Sequence, residues 1–581
     1  MSVTLADEQP KEPVHIGKMT AFWRNRPVLG QWLKGGLGLE EVPGYLCDPS
    51  LSFPYRKRPY PKEVLFADHL TVVRLLGGWQ YEKGKGELDG GPEADLAYRG
   101  EDGTIRYRWE LIGPRLDHYV ENGYDLTIVL DNTPWCFPAK PVSGSHFGQS
   151  APAADFKEWG AFIEELCRQL VKRYGMERVN GWRFRMGTEC QGEARFTGPQ
   201  EDFFKLYDHA AAAVRCVLPG AKFGPFNLAG GPDEGNVRYY ALADHCMTGR
   251  NHATGEMGSP MDFAAVSIYM APVVSKGILR TTNPDYKART KVDFWTGLAA
   301  RHSRLKDIPR EVHEFGILGN EFKAGGGEPG ARGAAWEFHI MMNLREGGME
   351  RLWQWGVMED VRTGKGHKLL VGSGWLLSVL EQTVGGETYI LSPRVEPADA
   401  DMQESECVKE IASYQRPEKL AQPGEMFYKS IAVVQERRAF LITSAYHEDR
   451  FVTRAAKVTV SVPKTLLAMD AAAKVRHVAL TRTNSVHFRL RQDLAAAGLL
   501  AEEFQKVPGL LSSVRDMAGR EGWSYVDRNW ATYQTIIKDS LTLKPFAGEV
   551  RSDATHHHFT FALAPPSVMV IVVEKDEHIG K

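Results

Sequence analysis

Two glutamates stand at the ends of predicted β-strands, and their types and positions suit one piece of chemistry. Glu189 ends the strand pattern of residues 181–190 and is followed by Gln191-Gly192-Glu193, and Glu314 ends a later pattern within residues 308–316. Two carboxyl groups at one site can act as a general acid/base and a nucleophile when one is protonated and the other ionised. The sequence therefore predicts acid/base chemistry carried by a carboxyl pair.

The segments around these glutamates alternate short apolar runs with longer helical patterns, which is typical of βα units around a parallel sheet. Seven strands are predicted between about residues 60 and 380, at 70–75, 126–130, 182–186, 222–226, 263–268, 310–314 and 351–355, and an eighth is predicted within 22–33. Glu189 and Glu314 then end strands four and seven. Because the active sites of βα barrels lie at the carboxyl ends of the strands, both carboxylates are expected at one rim.

The spacing of apolar residues changes in the carboxyl-terminal part of the chain. Short alternating apolar segments after residue 386 predict an antiparallel β-domain. We therefore expect an α/β protein: a (β/α)8 TIM barrel over residues 21–385, followed by a C-terminal antiparallel β-sandwich over 386–581. Residues 1–20 are expected to add a strand to the sandwich, and residues 502–538 are expected to form an insertion in it.

Composition excludes several classes of partner. The 581 residues carry 71 basic and 73 acidic side chains, so no global field attracts nucleic acid or anionic lipid. No apolar run reaches the roughly 20 residues that a membrane helix needs. We expect no nucleic-acid partner, no membrane partner, no cofactor and no metal, while the sequence leaves the oligomeric state open.

The cysteines and the amino terminus bear on localisation. Seven cysteines are widely spaced and include no CxxC pair, which favours a reducing compartment over a disulfide framework. The first twenty residues are polar and lack a signal-peptide core. We expect a cytoplasmic protein, and export stays open if this chain has been shortened.

Several motifs resemble glycoside hydrolases of clan A and, within it, family 39, the β-xylosidase and iduronidase family. The similarity spans about residues 60–575. It rests on six segments: Val73-Arg74-Leu75-Leu76-Gly77, Arg173-Tyr174-Gly175, the strand from Trp182 to Glu189, the helix start from Asp202 to Asp208, His313-Glu314-Phe315 and Gln354-Trp355. The resemblance implies an oligosaccharide or glycoside substrate and hydrolysis with retention of configuration.

The resemblance also implies roles for single residues. Glu189 would be the acid/base and Glu314 the nucleophile, with carboxyl oxygens about 5–5.5 Å apart. Arg74 would keep Glu314 ionised, Tyr269 would donate a hydrogen bond to it, and Trp355 would form an apolar floor for the sugar.

The chain departs from the family's pattern at five positions. Leu76 and Ser267 replace histidines, Thr188 replaces the asparagine before the acid/base, Gly187 replaces a tryptophan and Arg185 replaces a glutamate. Arg185, Thr188 and Ser267 are therefore expected to form an altered sugar subsite. Because Arg183, Arg185 and Arg195 add positive charge, we expect an unusual sugar, such as an acidic or sulfated one.

Other interpretations stay open. A non-catalytic carbohydrate-binding protein on the same fold and a transglycosylase are the alternatives to a hydrolase. Glu311 lies an odd step from Glu314, so a regular strand would turn it to the opposite face. The triplet His556-His557-His558 is expected to be solvated or hydrogen-bonded rather than metal-binding, because adjacent strand residues alternate faces.

Overall fold

The computed structural model of the chain describes residues 10–28, 68–78, 92, 95–142, 147–270, 274–275, 278–279, 282–317, 329–354, 359–361, 365, 367–396, 426–449, 452–469, 473–506, 511 and 514–574. Structural statements below concern these residues. Their strands are β1 (Val14–Lys18), β2 (Asn25–Val28), β3 (His69–Val72), β4 (Ala97–Arg99), β5 (Ile105–Tyr107), β6 (Asp125–Val129), β7 (Arg183–Met186), β8 (Lys222–Pro225), β9 (Ala264–Met270), β10 (Val274–Ser275), β11 (Ile278–Leu279), β12 (Arg310–Ile317), β13 (Met349–Gln354), β14 (Glu359–Val361), β15 (Lys368–Leu370), β16 (Glu387–Leu391), β17 (Arg394–Glu396), β18 (Phe427–Val434), β19 (Arg438–Tyr446), β20 (Ala456–Pro463), β21 (Lys474–Thr481), β22 (Lys544–Pro545), β23 (Glu549–Ser552), β24 (His556–Leu563) and β25 (Ser567–Glu574).

The α-helices in the same parts of the chain are α1 (Ile112–Glu121), α2 (Phe156–Tyr174), α3 (Met176–Asn180), α4 (Gln200–Val217), α5 (Tyr239–Thr248), α6 (Pro284–Arg301), α7 (Ala331–Glu346), α8 (Gly372–Glu381), α9 (Val486–Ala496), α10 (Glu502–Lys506), α11 (Val514–Arg528) and α12 (Trp530–Leu541). Helix α2 illustrates how local sequence sets an element. The side chain of Asp155 caps it by accepting hydrogen bonds from the backbone N–H groups of Lys157 and Glu158, and Gly175 ends it at a φ of 87°.

Eight strands form one parallel sheet in the order β8-β7-β6-β3-β2-β13-β12-β9. Each overlaps a segment in which the sequence predicts a strand. Strands β3 and β7 are buried at every residue, as expected for strands that are covered on both faces. In chain order β7 is the fourth strand of this sheet and β12 the seventh.

Two antiparallel sheets follow. One has the order β1-β16-β18-β19-β25-β21-β22 and the other the order β17-β20-β24-β23, and an apolar core lies between them. Strand β1 pairs with β16, so the start of the described chain joins the larger antiparallel sheet. The other face of that sheet packs on α7, where the guanidinium of Arg332 donates to the carbonyl oxygens of His447 at 3.1 Å and Glu448 at 2.7 Å.

Helices α9 to α12 follow β21 and precede β22 in the chain, and they enclose a third apolar core. This core also includes Leu369 of β15, a short strand that follows β13 in the chain. The side chain of His367 stacks on Trp530 at 4.5 Å, and its Nδ1 lies 2.9 Å from Oδ1 of Asp527. Helices α11 and α12 therefore contact the segment that follows the eighth parallel strand. None of the described helices combines the length and apolar character that a bilayer crossing requires.

Candidate active site

Glu189 and Glu314 lie on strands four and seven of the parallel sheet. Glu189 follows β7 by three residues and is half-buried, whereas Glu314 lies within β12 and is 4% exposed. The negative charge of Glu189 acts on Glu314, because it is the second-largest cause of the raised pKa of that carboxyl group. The two predicted carboxylates are therefore close enough to interact.

A β-bulge turns Glu314 toward the same face of the sheet as Glu311. Along β12 the pairing with β9 runs from Val312 opposite Val266 directly to Glu314 opposite Ser267, so His313 is an extra residue. Such a bulge re-aims the side chains that follow it. The expectation that Glu311 and Glu314 face opposite ways is therefore wrong, because it assumed a regular strand.

The carboxylate of Glu314 is held at one oxygen only. The hydroxyl of Tyr269, on β9, donates to Oε2 at 2.6 Å, while the buried Oε1 has no hydrogen-bond partner among the described residues. Burial, followed by the charge of Glu189, raises the pKa of Glu314 to about 7, and Arg195, Arg185 and the Tyr269 hydrogen bond act in the opposite direction. The cations that favour ionised Glu314 thus include Arg195 and Arg185, and the role expected for Arg74 stays a prediction.

Arg185 and Thr188 belong to one buried network beneath the glutamates. The Nη2 of Arg185 donates to Oγ1 of Thr188 at 2.9 Å, and that hydroxyl donates to Oδ2 of Asp131 at 2.6 Å. Arg185 also donates to the carbonyl oxygen of Gly187 and contacts Nδ1 of His313 at 3.0 Å. Because its polar groups are used in this way, Arg185 positions the loop that carries Glu189.

A second buried group lies below this network. Arg183 forms an ion pair with Glu311, and His313 Nε2 lies 2.8 Å from the other oxygen of Glu311. Burial by itself raises the pKa of Glu311, but the charge of Arg183 and the hydrogen bond with His313 outweigh it and hold the pKa below its usual value. Arg183 is therefore neutralised inside the protein, and the expectation that it adds free positive charge for a substrate is wrong.

Backbone strain marks the same edge of the sheet. Arg74 and Glu189 are the non-glycine residues with positive φ among those described, at 58° and 50°. Such conformations cost about 1–3 kcal/mol and cluster at functional sites. The backbone N–H of Arg74 donates to Oδ1 of Asp131 at 3.0 Å, and the other oxygen of Asp131 accepts from Thr188, the residue before Glu189. Gly187 has a φ of 75°, and a Cβ there would clash with Sγ of Cys190, which explains glycine at this position.

Comparison with known proteins shows which family this chain is similar to. A family model described as "Glycosyl hydrolases family 39" matches residues 59–289. An α-1,4-L-rhamnosidase of Formosa agariphila is 24% identical over 58% of this chain and 66% of its own length. A β-xylosidase of Caldicellulosiruptor saccharolyticus is 31% identical over 24% of this chain and 29% of its own length. The chain is related to the family 39 glycosyl hydrolases. It covers less than two thirds of either relative's length.

Solved structures of glycoside-cleaving enzymes share the fold of this chain. The structure described as the bacterial orthologue of human α-L-iduronidase covers 97% of this chain and 83% of its own, with a TM-score of 0.57 and 12% identity. A monomeric β-xylosidase from Caulobacter crescentus covers 97% of this chain and 98% of its own, with a TM-score of 0.56 and 15% identity. At these identities the likeness concerns the fold alone, and it implies a TIM barrel with a C-terminal β-domain.

Two of the positions that differ from the family 39 pattern fall beside the glutamates. Ser267, opposite Glu314 in the sheet, accepts a 2.7 Å hydrogen bond from Nδ2 of Asn227, whose Oδ1 is buried without a hydrogen-bond partner among the described residues. Thr188 bridges Arg185 and Asp131, so its hydroxyl is already engaged. Trp355, the expected sugar floor, lies outside the described residues.

Sequence reasoning missed two residues of this site. Asp131 directly follows the predicted strand 126–130, so its position at a strand end could have revealed it. Lys291 carried no such signal, because it lies on α6. It is 8% exposed, and its Nζ donates to the carbonyl oxygen of Ala229 at 2.8 Å. Burial lowers its pKa to about 8, and the charge of nearby Glu189 opposes this shift.

Proposed function

We propose that the protein is a glycoside hydrolase that cleaves a glycosidic bond with retention of configuration. Glu189 is the acid/base and Glu314 the nucleophile, and the reaction passes through a covalent glycosyl-enzyme intermediate. The names of the relatives and the positions of the glutamates on strands four and seven support this proposal. The observation that carries it is the placement of Glu189 after the fourth parallel strand and of Glu314, which accepts a hydrogen bond from Tyr269, in the seventh.

We also infer that the parallel strands close into a (β/α)8 barrel. Support comes from a parallel bridge between Leu228, just after β8, and Val266 of β9, at the two ends of the sheet. The N–H of Leu228 donates to the carbonyl oxygen of Ala265 at 3.0 Å, and the N–H of Ser267 donates to that of Leu228 at 3.0 Å. A closed sheet brings strands four and seven to one rim, across which a sugar ring fits.

Burial and the charge of Glu189 raise the pKa of Glu314 to about 7, so the nucleophile needs groups that favour its ionised form. When Glu189 serves as the protonated acid, its charge no longer opposes ionisation of Glu314. The Tyr269 hydroxyl and the charges of Arg195 and Arg185 then favour the negative charge on Glu314. Oε1 of Glu314 is the oxygen that attacks the anomeric carbon, since Oε2 is occupied by Tyr269. Glu189 protonates the leaving oxygen and afterwards activates water.

Chromogenic aryl glycosides of several sugars, in both anomeric forms, test the mechanism. We expect Glu189→Ala to lower kcat by about 10²- to 10⁴-fold. Azide should restore turnover in this variant and give a glycosyl azide of retained configuration. Glu314→Ala should lose hydrolysis of every substrate, with thermal unfolding as the folding control. Wild-type product of inverted configuration by NMR, or full activity of both variants, would disprove the mechanism.

We further propose an anionic sugar substrate and assign its recognition to Arg195. Arg183 and Arg185 have buried protein partners, as described above, so they do not serve this purpose. Arg195 is half-buried, its guanidinium carbon lies 3.5 Å from the ring centroid of Phe147, and its buried Nε has no hydrogen-bond partner among the described residues. A guanidinium that is oriented on an aromatic ring suits a carboxylate or sulfate.

Matched glycosides that differ only in a carboxylate or a hydroxymethyl group on the ring test this assignment. Hydrogen bonds to charged groups contribute about 1.5–3 kcal/mol, which corresponds to roughly 10- to 150-fold in kcat/KM. The charge of Arg195 also favours ionised Glu314, so Arg195→Gln should cause some loss of kcat/KM that is common to both glycosides. We expect the acidic glycoside to lose such a factor in addition. Equal losses on both substrates, or a wild-type preference for the neutral glycoside, would refute the anionic substrate without affecting the proposed mechanism.

A further inference from the structure

A second cluster of chemistry-bearing side chains lies on the helices rather than on the strands that carry the catalytic pair. Asp208 belongs to α4, His245 belongs to α5, and His252 follows α5 in a loop. One carboxylate or imidazole atom from each of the three lies within 4.8 Å of the others. Glu201, which precedes Asp208 on α4, has its Oε1 3.2 Å from Nε2 of His252. The cluster thus offers two imidazoles and two carboxylates.

The spacing of these groups suits a tetrahedral metal ion. Oδ2 of Asp208 lies 2.9 Å from Nε2 of His245, and the two imidazole rings lie 5.5 Å apart at an interplanar angle of 16°. Zinc binds nitrogen and oxygen ligands at about 2.0–2.2 Å, so its tetrahedral ligand atoms lie about 3.4 Å from one another. Among Asp208, His245 and His252 the separations of 2.9 Å and up to 4.8 Å bracket that value. Glu201 is placed only by its 3.2 Å contact with His252, so its exposed side chain must turn toward the ion to complete the site.

The charge of the cluster also favours a cation. Asp208 is fully buried, and the side chain of His245 is 8% exposed. In the part of the chain that the structure describes, the ion-pair partners of Asp208 and Glu201 are His245 and His252, with no lysine or arginine among them. The described residues thus bring two carboxylates and two imidazoles together without a lysine or arginine. A buried carboxylate such as that of Asp208 is stabilised by hydrogen bonds, by a paired charge or by a bound metal.

We propose that Glu201, Asp208, His245 and His252 bind one Zn²⁺ ion. Zinc prefers this mixture of imidazole nitrogen and carboxylate oxygen, and four protein ligands form a closed, structural type of site. Exposed Glu201 provides the side from which the ion enters. The ion ties the loop after α5 to α4. The four residues are spread from position 201 to position 252, so no short ligand spacing marks the site in the sequence.

The binding test uses the full chain without an affinity tag, stripped with EDTA and dialysed. We expect calorimetric titration with ZnCl2 to give about one ion per chain, and the midpoint of thermal unfolding to rise by several degrees when the ion is present. Hydrolytic activity should change little, since none of the four ligands touches the catalytic pair. Cobalt(II) bound in place of zinc should give the intense visible absorption of a tetrahedral ion.

His252→Ala is the decisive variant, because it removes an exposed ligand and leaves the buried contacts of Asp208 intact. Asp208→Asn is unsuitable alone, since Asp208 also accepts hydrogen bonds from the N–H of His252 and from Ser259 and its loss could unfold the loop. We expect His252→Ala to weaken zinc binding by at least the roughly 10- to 100-fold that losing an outer-shell partner costs. His15→Ala, which changes an exposed histidine that pairs with Glu387 in the larger antiparallel sheet, should keep both affinity and thermal shift.

Three results would overturn the proposal. One is the absence of saturable zinc binding at micromolar concentration. Another is unchanged affinity in His252→Ala. The third is binding that persists in His252→Ala but is lost in His558→Ala or Cys216→Ser, which would assign the metal to the histidine triplet or to the exposed thiol.

Discussion

Glu311 and Glu314 stand three residues apart on β12, and both side chains face the same side of the sheet. They pair with Ala265 and Ser267, which are two residues apart on β9, because His313 is an extra residue between them. Glu311 is neutralised by Arg183, whereas Glu314 keeps one oxygen without a hydrogen-bond partner among the described residues. One strand thus carries a structural carboxylate and a reactive one on the same face.

The structural carboxylate should matter for stability. Glu311→Gln leaves the guanidinium of Arg183, which is 4% exposed, without its counter-charge. Loss of one partner of a buried ion pair costs about 3–5 kcal/mol. We expect a clear fall in the denaturant midpoint at pH 7. The control Glu193→Gln changes an exposed carboxylate and should shift stability by about 0.5 kcal/mol or less. Equal effects of the two variants would contradict this prediction.

The reactive carboxylate should make stability depend on pH. The pKa of Glu314 rises from 4.5 to about 7 on folding, so the folded protein binds more protons than the unfolded chain between these values. The contribution of Glu314 to the free energy of unfolding therefore falls as the pH rises from about 4.5 to about 7. A difference of about 2.5 pKa units corresponds to roughly 3 kcal/mol.

The substitution Glu314→Gln removes this titration, and the variant should be more stable than the wild type at pH 8. Since the substituted amide carries no charge at any pH, the advantage should shrink toward pH 4.5, where Glu314 becomes protonated in the folded wild type and begins to be protonated in the unfolded chain. Urea unfolding of both proteins at several pH values measures the difference. An advantage that does not change with pH would show that burial does not penalise this carboxylate.

The hydrogen bond from Tyr269 should set the acidic limb of the pH–rate profile. Tyr269→Phe removes a donor that favours ionised Glu314, so the pKa of that group rises and the acidic limb of kcat/KM moves to higher pH. A hydrogen bond to a charged group contributes about 1.5–3 kcal/mol, or roughly 10- to 150-fold in rate at the optimum. Tyr428→Phe, in the larger antiparallel sheet, serves as the control. An unmoved acidic limb would argue against this contact in solution.

The hydroxyl of Thr188 should be required where the family 39 pattern has asparagine. Thr188→Val keeps the shape but removes the donor to Oδ2 of Asp131 and the acceptor for Nη2 of Arg185. Each unsatisfied buried group costs about 1–3 kcal/mol. We expect a lower unfolding temperature and, because Glu189 is the next residue, a lower kcat. Thr188→Ser keeps the hydroxyl and should retain most of the unfolding temperature and most of kcat. A serine variant that is as impaired as the valine variant would refute the prediction.

Elements with strong local signals could be predicted from the sequence. Helix α2 has its apolar residues on one face, a capping aspartate and a glycine stop, and each of these acts within a few residues. Each of the eight parallel strands overlaps a segment in which the sequence predicts a strand, so their approximate positions were also predictable. Glu189 and Glu314 followed from their places at strand ends.

The partners of the buried charges could not be predicted in this way. Arg183 and Arg185 were expected to add positive charge for a substrate, but Glu311, His313 and Thr188 occupy them. These contacts join residues up to 128 positions apart. Charge alone does not indicate which carboxylate a buried arginine will meet.

Periodicity and capping act between near neighbours, so the sequence was enough to predict helix α2, the approximate positions of the parallel strands, and Glu189 and Glu314 on the fourth and seventh of them. The tertiary structure alone decided that a bulge turns Glu314 beside Tyr269 and that Lys291 of an outer helix approaches Glu189. The physical reason is that hydrogen-bond register and the field of buried charges arise only when residues distant in the chain pack together.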